Sequence, residues 1–178
     1  MTDHRFEILA CDAAMLERRI GEFSALLQAC VHDGASISFV MPFSIDEAEA
    51  FWRGKVLPGL AAGSSLLIVA ETEGRIAGSV QLDHDMPPNQ PHRAEVRKLL
   101  VHPDFRRRGL ARALMAKLEA HARLLRRSLL TLDTRTGDRA KPLYASLGYQ
   151  TVGVIPNFCR DPFAADKLDG TTIMYKAL

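Results

Sequence analysis

One segment constrains this chain more than any other, Val101-His102-Pro103-Asp104-Phe105-Arg106-Arg107-Arg108-Gly109-Leu110-Ala111-Arg112. In it an apolar run, Ala94 to Val101, passes through a basic loop with a single glycine into a helical pattern from Gly109 to about Arg127. Leu110, Leu114, Leu118 and Leu125 recur along one face, as an amphipathic helix on a core requires. The first amides of a helix lack intrahelical acceptors and carry a partial positive charge, so an anion docks there readily. Gly109 permits close backbone approach, Ala111 keeps the first turn small, and Arg106, Arg107, Arg108 and Arg112 add cations beside it. Two readings stand: a site for a pyrophosphate with a further phosphate nearby, and a solvated basic loop that merely opens a core helix. The loop is neither GxxxxGK[ST] nor GxGxxG, since it holds only one glycine.

The rest of the chain places that junction in a mixed α/β (α+β) single domain. Arg5 to Ala10 reads as a first strand, and Leu16, Ile20, Phe23 and Leu27 mark one helix face from Asp12 onward. Ser44 with Glu47 forms a capping box that opens a second helix, to about Leu60 unless Pro58 ends it early. Leu66–Glu71 and Arg75–Leu82 flank Glu73-Gly74, a hairpin signal. A strand at Leu129–Asp133, a short helix at Arg139–Leu147, and strands near Gln150–Ile155 and Thr171–Lys176 complete the order βααβββαβαββ. This is a mixed central sheet of about seven strands flanked by about four helices.

Composition narrows the partners. With 178 residues, 47% hydrophobic and 25% charged, the chain supports its own core, which excludes disorder, collagen and coiled coil. A net charge of +2 argues against a bulk nucleic-acid binder, because each neutralised phosphate needs a cation. The charge is uneven, however: Arg93 to Arg139 holds 13 Lys+Arg against 5 Asp+Glu, an excess that suits one small polyanion. Cys11, Cys30 and Cys159 are odd in number and lack CxxC spacing, which points to a reducing, cytoplasmic setting. No apolar run approaches a membrane span. Asp83-His84-Asp85 reads as a solvated strand end, so no metal is expected.

Arg106-x-x-Gly109-x-Ala111, after a strand ending Leu99-Leu100-Val101-His102-Pro103, resembles the acetyl-CoA motif of the GNAT superfamily of N-acetyltransferases. Leu143-Tyr144-x-x-x-Gly148-Tyr149 is similar to that superfamily's LY-x-x-x-GF signature, in the right order and at the right separation. VHDGAS (31–36), RAEVRKLLVHP (93–103), LTLDT (130–134), IPNFC (155–159) and TTIMYKAL (171–178) resemble, within it, the tabtoxin-resistance acetyltransferases.

The resemblance implies acetyl-CoA as cosubstrate and direct transfer to an amine. Leu99, Leu100 and Val101 would hold the pantetheine arm and acetyl carbonyl, and the amides from Arg106 through Arg112 the pyrophosphate. Tyr144 becomes the candidate acid for the leaving thiolate, against a plain core tyrosine. Glu95 and Asp133 become candidate bases, against a surface Glu95–Arg97 pair and a turn aspartate. His32, Asp33 and Ser36 fall where acceptor-site loops lie, against a simple helix–helix connection. The implied acceptor is a small polar, amino-acid-like primary amine. A protein N-terminal or lysine acetyltransferase and a noncatalytic acetyl-CoA sensor are the alternatives. Neither nucleic acid nor membrane is an expected partner, and a homodimer is the candidate assembly. Two departures from the pattern stand out: Gly137 where an asparagine is usual, and Pro142, which suggests a late start for the short helix.

Overall fold

A computed structural model describes residues 6–164 and 166–178. Arg5, with which the first strand was expected to open, lies outside them. The strands are β1 (Phe6–Cys11), β2 (Ser65–Thr72), β3 (Arg75–Asp83), β4 (Arg93–Val101), β5 (Leu129–Arg135), β6 (Gln150–Arg160) and β7 (Leu168–Ala177). They form one sheet in the order β1-β2-β3-β4-β5-β7-β6, in which only β4 and β5 run parallel. The helices are α1 (Ala13–Arg18), α2 (Ile20–His32), α3 (Ile45–Phe51), α4 (Leu57–Ala62), α5 (Leu110–Leu124) and α6 (Ala140–Ser146).

Two cores follow from strand alternation. Ile68, Val80 and Leu82 point to one face, where α5 lays down Leu110, Leu114 and Leu118 and α6 adds Tyr144. Leu67, Val69 and Leu100 point to the other, beneath Phe23, Leu27 and Trp52 of the N-terminal helices. Each leucine buried in this way contributes roughly 1.5–3 kcal/mol. Among the described residues no helix is long and apolar enough to cross a membrane.

The differences from the sequence pattern have tertiary causes. The first helix is two, because Arg19 leaves helical geometry to pair with Glu22 and Glu71 and to donate to Gly74 O on the β2–β3 turn, at 3.0 Å for the last. Pro58 does not end the second helix. A π-helical turn, Trp52–Val56, comes first, and the proline sits in the first turn of α4, where its missing N–H is harmless. Pro142 likewise falls in the first turn of α6, so that helix starts at Ala140 without delay. Helix α5 stops at Leu124, short of Arg127, where Arg126 adopts a left-handed φ of 56°. Strand β6 runs on to Arg160 by bulging between Ile155 and Cys159, a place an edge strand gives to Pro156.

Glu119 of α5 and Lys176 of β7 meet inside the first core at 2.6 Å. Glu119→Ala strands a largely buried ammonium, and we expect a loss of about 3–5 kcal/mol in denaturant unfolding. Glu119→Ala combined with Lys176→Met should recover most of it; no recovery would mean the pair is not the cause.

Candidate active site

The central feature is a parting of strands. β4 and β5 are paired only at Arg93–Leu129, Ala94–Leu130 and Glu95–Thr131. Beyond Glu95 each strand goes its own way, β4 to Val101 and β5 to Arg135. β4 diverges because it carries a bulge. Gln81 faces Arg97 and Ser79 faces Leu100, so Lys98 and Leu99 together stand opposite Val80, and Lys98 takes a φ of 49°, rare for a side-chain-bearing residue. The opening is a cleft of about 1410 Å³. Leu99, Leu100 and Val101 form its β4 wall, and Asp133 and Tyr144 the opposite one.

One end of the cleft is the junction singled out in the sequence. Arg107 (φ 61°) and Gly109 (φ 86°) turn the chain into α5. The first amide of that region to find an acceptor is Ala113, on Gly109 O at 3.1 Å. The N–H groups from Arg107 to Arg112 have none among the described residues. A Cβ built on Gly109 would meet nothing within 4 Å, so the space in front of these amides is open.

The four arginines that the sequence placed beside the loop are not equally free. Arg106 is tied down: it pairs with Asp33, and its Nε donates to Val101 O at 3.2 Å. It braces the loop against the end of α2. Arg108 stacks over Phe105 at 5.3 Å and donates to Asp104 O, and Arg112 donates to Ser146 Oγ at 2.9 Å. Arg107 alone of the four has no such partner among the described residues.

Tyr144 is buried in α6, its ring 5.7 Å from that of Tyr149. Burial, then the charges of Asp133 and Asp138, push its hydroxyl well above the usual phenol range. It therefore stays protonated at every physiological pH, as a proton donor must. Asp133 is exposed on the cleft wall and accepts from Thr171 Oγ1 at 2.9 Å, which orients it. Glu95 accepts from Arg97 Nε at 3.0 Å, and Arg97 also reaches Asp83 at 3.3 Å. The expected surface pair thus exists, but it lies on the cleft itself.

The loop after α2 closes the acceptor side of the cleft and reaches the junction through Asp33. Asp33 and Ser36 line the cleft, Asp33 engaged with Arg106 and Ser36 Oγ lying 3.6 Å from Cys159 Sγ. His32 does not line it. It is exposed, and its Nε2 lies 2.8 Å from Phe43 O, on the side of the loop away from the cleft lining. Its expected role in acceptor contact is corrected on that geometry: helix periodicity turns the last residue of α2 outward. Residues that the sequence did not single out complete this end. Lys98 Nζ donates to Ile37 O and Ser38 Oγ, both at 2.8 Å, and lies 5.6 and 5.8 Å from the ring centres of Phe39 and Phe51. Burial, then Arg97, lowers its pKa to about 8, with Asp133 opposing the shift. Arg135 donates to Gly34 O at 3.1 Å and holds the loop to β5. A lysine inside an apolar strand run was the only trace of this in the sequence, and the bulge that exploits it leaves no pattern.

Residues 24–149, from α2 through the end of α6, match the acetyltransferase (GNAT) family. The chain belongs to that family. An acetyltransferase of Pectobacterium atrosepticum is 38% identical over 93 residues, which cover 51% of this chain and 61% of the relative. The match thus spans about three fifths of that relative's length. Among solved structures, the ribosomal-protein-alanine N-acetyltransferase of Brucella melitensis superposes with a TM-score of 0.78 at 21% identity, over 97% of this chain and 99% of that one. A proposed acetyltransferase of Salmonella typhimurium, solved with its cofactor acetyl-CoA, gives 0.75 at 19% identity, over 97% and 94%. At these identities the two structures speak for the fold, a GNAT fold with its seven-stranded mixed sheet.

Proposed function

We propose that this GNAT-family chain transfers the acetyl group of acetyl-CoA to the primary amine of a small polar, amino-acid-like molecule. The observation that carries the reading is the convergence on one cleft of free helix amides, a parted strand, a protonated tyrosine and an oriented carboxylate. The amides from Arg107 to Arg112 fit a pyrophosphate, since a helix N-terminus satisfies its orphan donors with anions. On its β5 side the stretch of β4 from Leu99 to Val101 has no strand partner, and it offers backbone groups there to the pantetheine and a donor for the developing oxyanion. In this reading Asp133, or Glu95 once released by Arg97, takes a proton from the acceptor ammonium. The amine nitrogen attacks the thioester carbon, the carbon–sulfur bond breaks as Tyr144 gives its proton to the departing thiolate, and the second proton shed by the nitrogen is lost to solvent as solvent restores the tyrosine.

The loop braces, Arg106 to Asp33 and Arg135 to Gly34, narrow the acceptor end, which favours a small amine over a protein tail. So does the resemblance of residues 93–103 and 130–134 to tabtoxin-resistance acetyltransferases. The three free thiols suit a cytoplasmic setting. The test is release of thiol from acetyl-CoA across a panel of small amines and N-terminal peptides, with the acetylated product read by mass spectrometry. Product on a small amine is the expected result. Product on peptides alone would move the function to protein acetylation, and tight acetyl-CoA binding with no product on any amine would make this a binding module.

A further inference from the structure

The charges lining the cleft are unequally matched. Arg97 is answered by Glu95 and Asp83, Arg106 by Asp33, and Arg135 by Asp138 and Asp169. Lys98 is different. Its ammonium is half-buried under Phe39 and Phe51, and among the described residues no carboxylate lies within ion-pair distance. Two of its three N–H groups go to neutral oxygens, Ile37 O and Ser38 Oγ, which leaves one. A cation drawn partly out of water without a counter-ion is unfavourable, and the same low dielectric strengthens its attraction for any anion that enters. Lys55, exposed one turn past Phe51, lines the same end and also lacks an ion-pair partner among the described residues. Across the cleft, Asp133 has a hydroxyl partner and, among the described residues, no cation within ion-pair distance. The acceptor end is therefore a dipole, with positive charge at the β4 bulge and negative charge on β5.

We infer that Lys98 is the anchor for a carboxylate on the acceptor, so that the substrate class is amino acids and close analogues whose carboxylate is free. Such a molecule places its carboxylate at Lys98, its ammonium toward Asp133, and its side chain against the faces of Phe39 and Phe51. The inference rests on the acetyl-transfer reading and narrows it. A purely structural lysine, latching residues 36–39 onto the bulge, is the competing role, and it makes a different prediction.

The experiment pairs each of the common L-amino acids with its carboxamide as acceptors and compares kcat/KM for the wild type, Lys98→Met and Lys98→Arg. Carboxamides carry the less basic amine and are intrinsically the easier to deprotonate, so a preference for the acids cannot come from amine reactivity. We expect the wild type to prefer at least one free acid over its carboxamide by about 10-fold to 100-fold, the worth of a hydrogen bond to a charged group. In Lys98→Met the preference should fall to near unity, mostly through KM, and Lys98→Arg should restore part of it. Thermal unfolding and calorimetric acetyl-CoA binding show whether each variant is folded. A wild type without the preference, a Lys98→Met that slows acids and amides equally, or no acetylation of any amino acid overturns the proposal. If carboxylate-free amines are still acetylated, this inference falls alone; if acetyl-CoA binds and nothing is acetylated, the acetyl-transfer reading falls with it.

Discussion

Tyr144→Phe is expected to lower turnover by about 100-fold or more, within the range that a positioned general acid supplies. The change removes one oxygen from a ring that is otherwise buried, so packing and acetyl-CoA affinity should stay close to wild type. The reason to expect so much from one atom is the environment. Burial and the nearby Asp133 and Asp138 keep the proton on the hydroxyl, and no other phenol lines the cleft among the described residues. A thiolate leaving into such a pocket has no equivalent donor once the oxygen is gone. Steady-state kinetics with acetyl-CoA and any productive amine, beside equilibrium binding of acetyl-CoA, checks this. Unchanged turnover removes Tyr144 from the mechanism, whereas equal losses in binding and turnover make it a packing residue.

Gly109→Asp should weaken acetyl-CoA binding by about 30-fold or more, corresponding to roughly 2 kcal/mol for an anion at a partly buried helix terminus. Three effects act together. Gly109 sits at a φ of 86°, which a side chain adopts only with strain. The space before it is open, so an aspartate would fit there rather than be expelled. Once there, its carboxylate caps the free amides of α5 and repels the phosphates that would otherwise take them. Gly109→Ala separates the causes, because it carries the backbone strain and no charge. Calorimetric titration should show a loss under Ala that is several-fold smaller than under Asp, because both carry the roughly 1 kcal/mol of left-handed strain and only Asp adds the charge. Equal losses would place the effect in the backbone, and unaltered affinity under Asp would dismiss the loop as the phosphate site.

Much of the candidate site was legible because its parts are local. The free amides, Gly109 and the basic loop lie within a dozen residues, and helix N-termini bind anions wherever they occur. Tyr144 became a candidate through the resemblance of Leu143-Tyr144-x-x-x-Gly148-Tyr149 to the GNAT signature, and it lines the cleft. The period-two rule correctly put Glu95 and Arg97 on one face, and their 3.0 Å hydrogen bond follows from it. Where local pattern misled, a distant partner had intervened. Arg19 broke an apparently continuous helix to reach Glu71, Arg106 turned from the basic loop to Asp33, and His32 pointed off the cleft toward Phe43.

By itself the sequence determined the order of the strands and of the helical regions between them, the strand-to-helix junction and the chemistry of its loop. All of these depend on neighbours within a few positions along the chain, where periodicity and capping operate. The tertiary structure decided where β4 leaves β5, that Lys98 and Leu99 share one register position, and which cations keep a counter-ion. Those outcomes depend on packing between segments many residues apart, such as Lys98 on Ile37 and Arg135 on Gly34. A bulge of one residue changes no composition and no period. It acts only by re-aiming a backbone against its neighbours, and so it enters the account with the folded sheet.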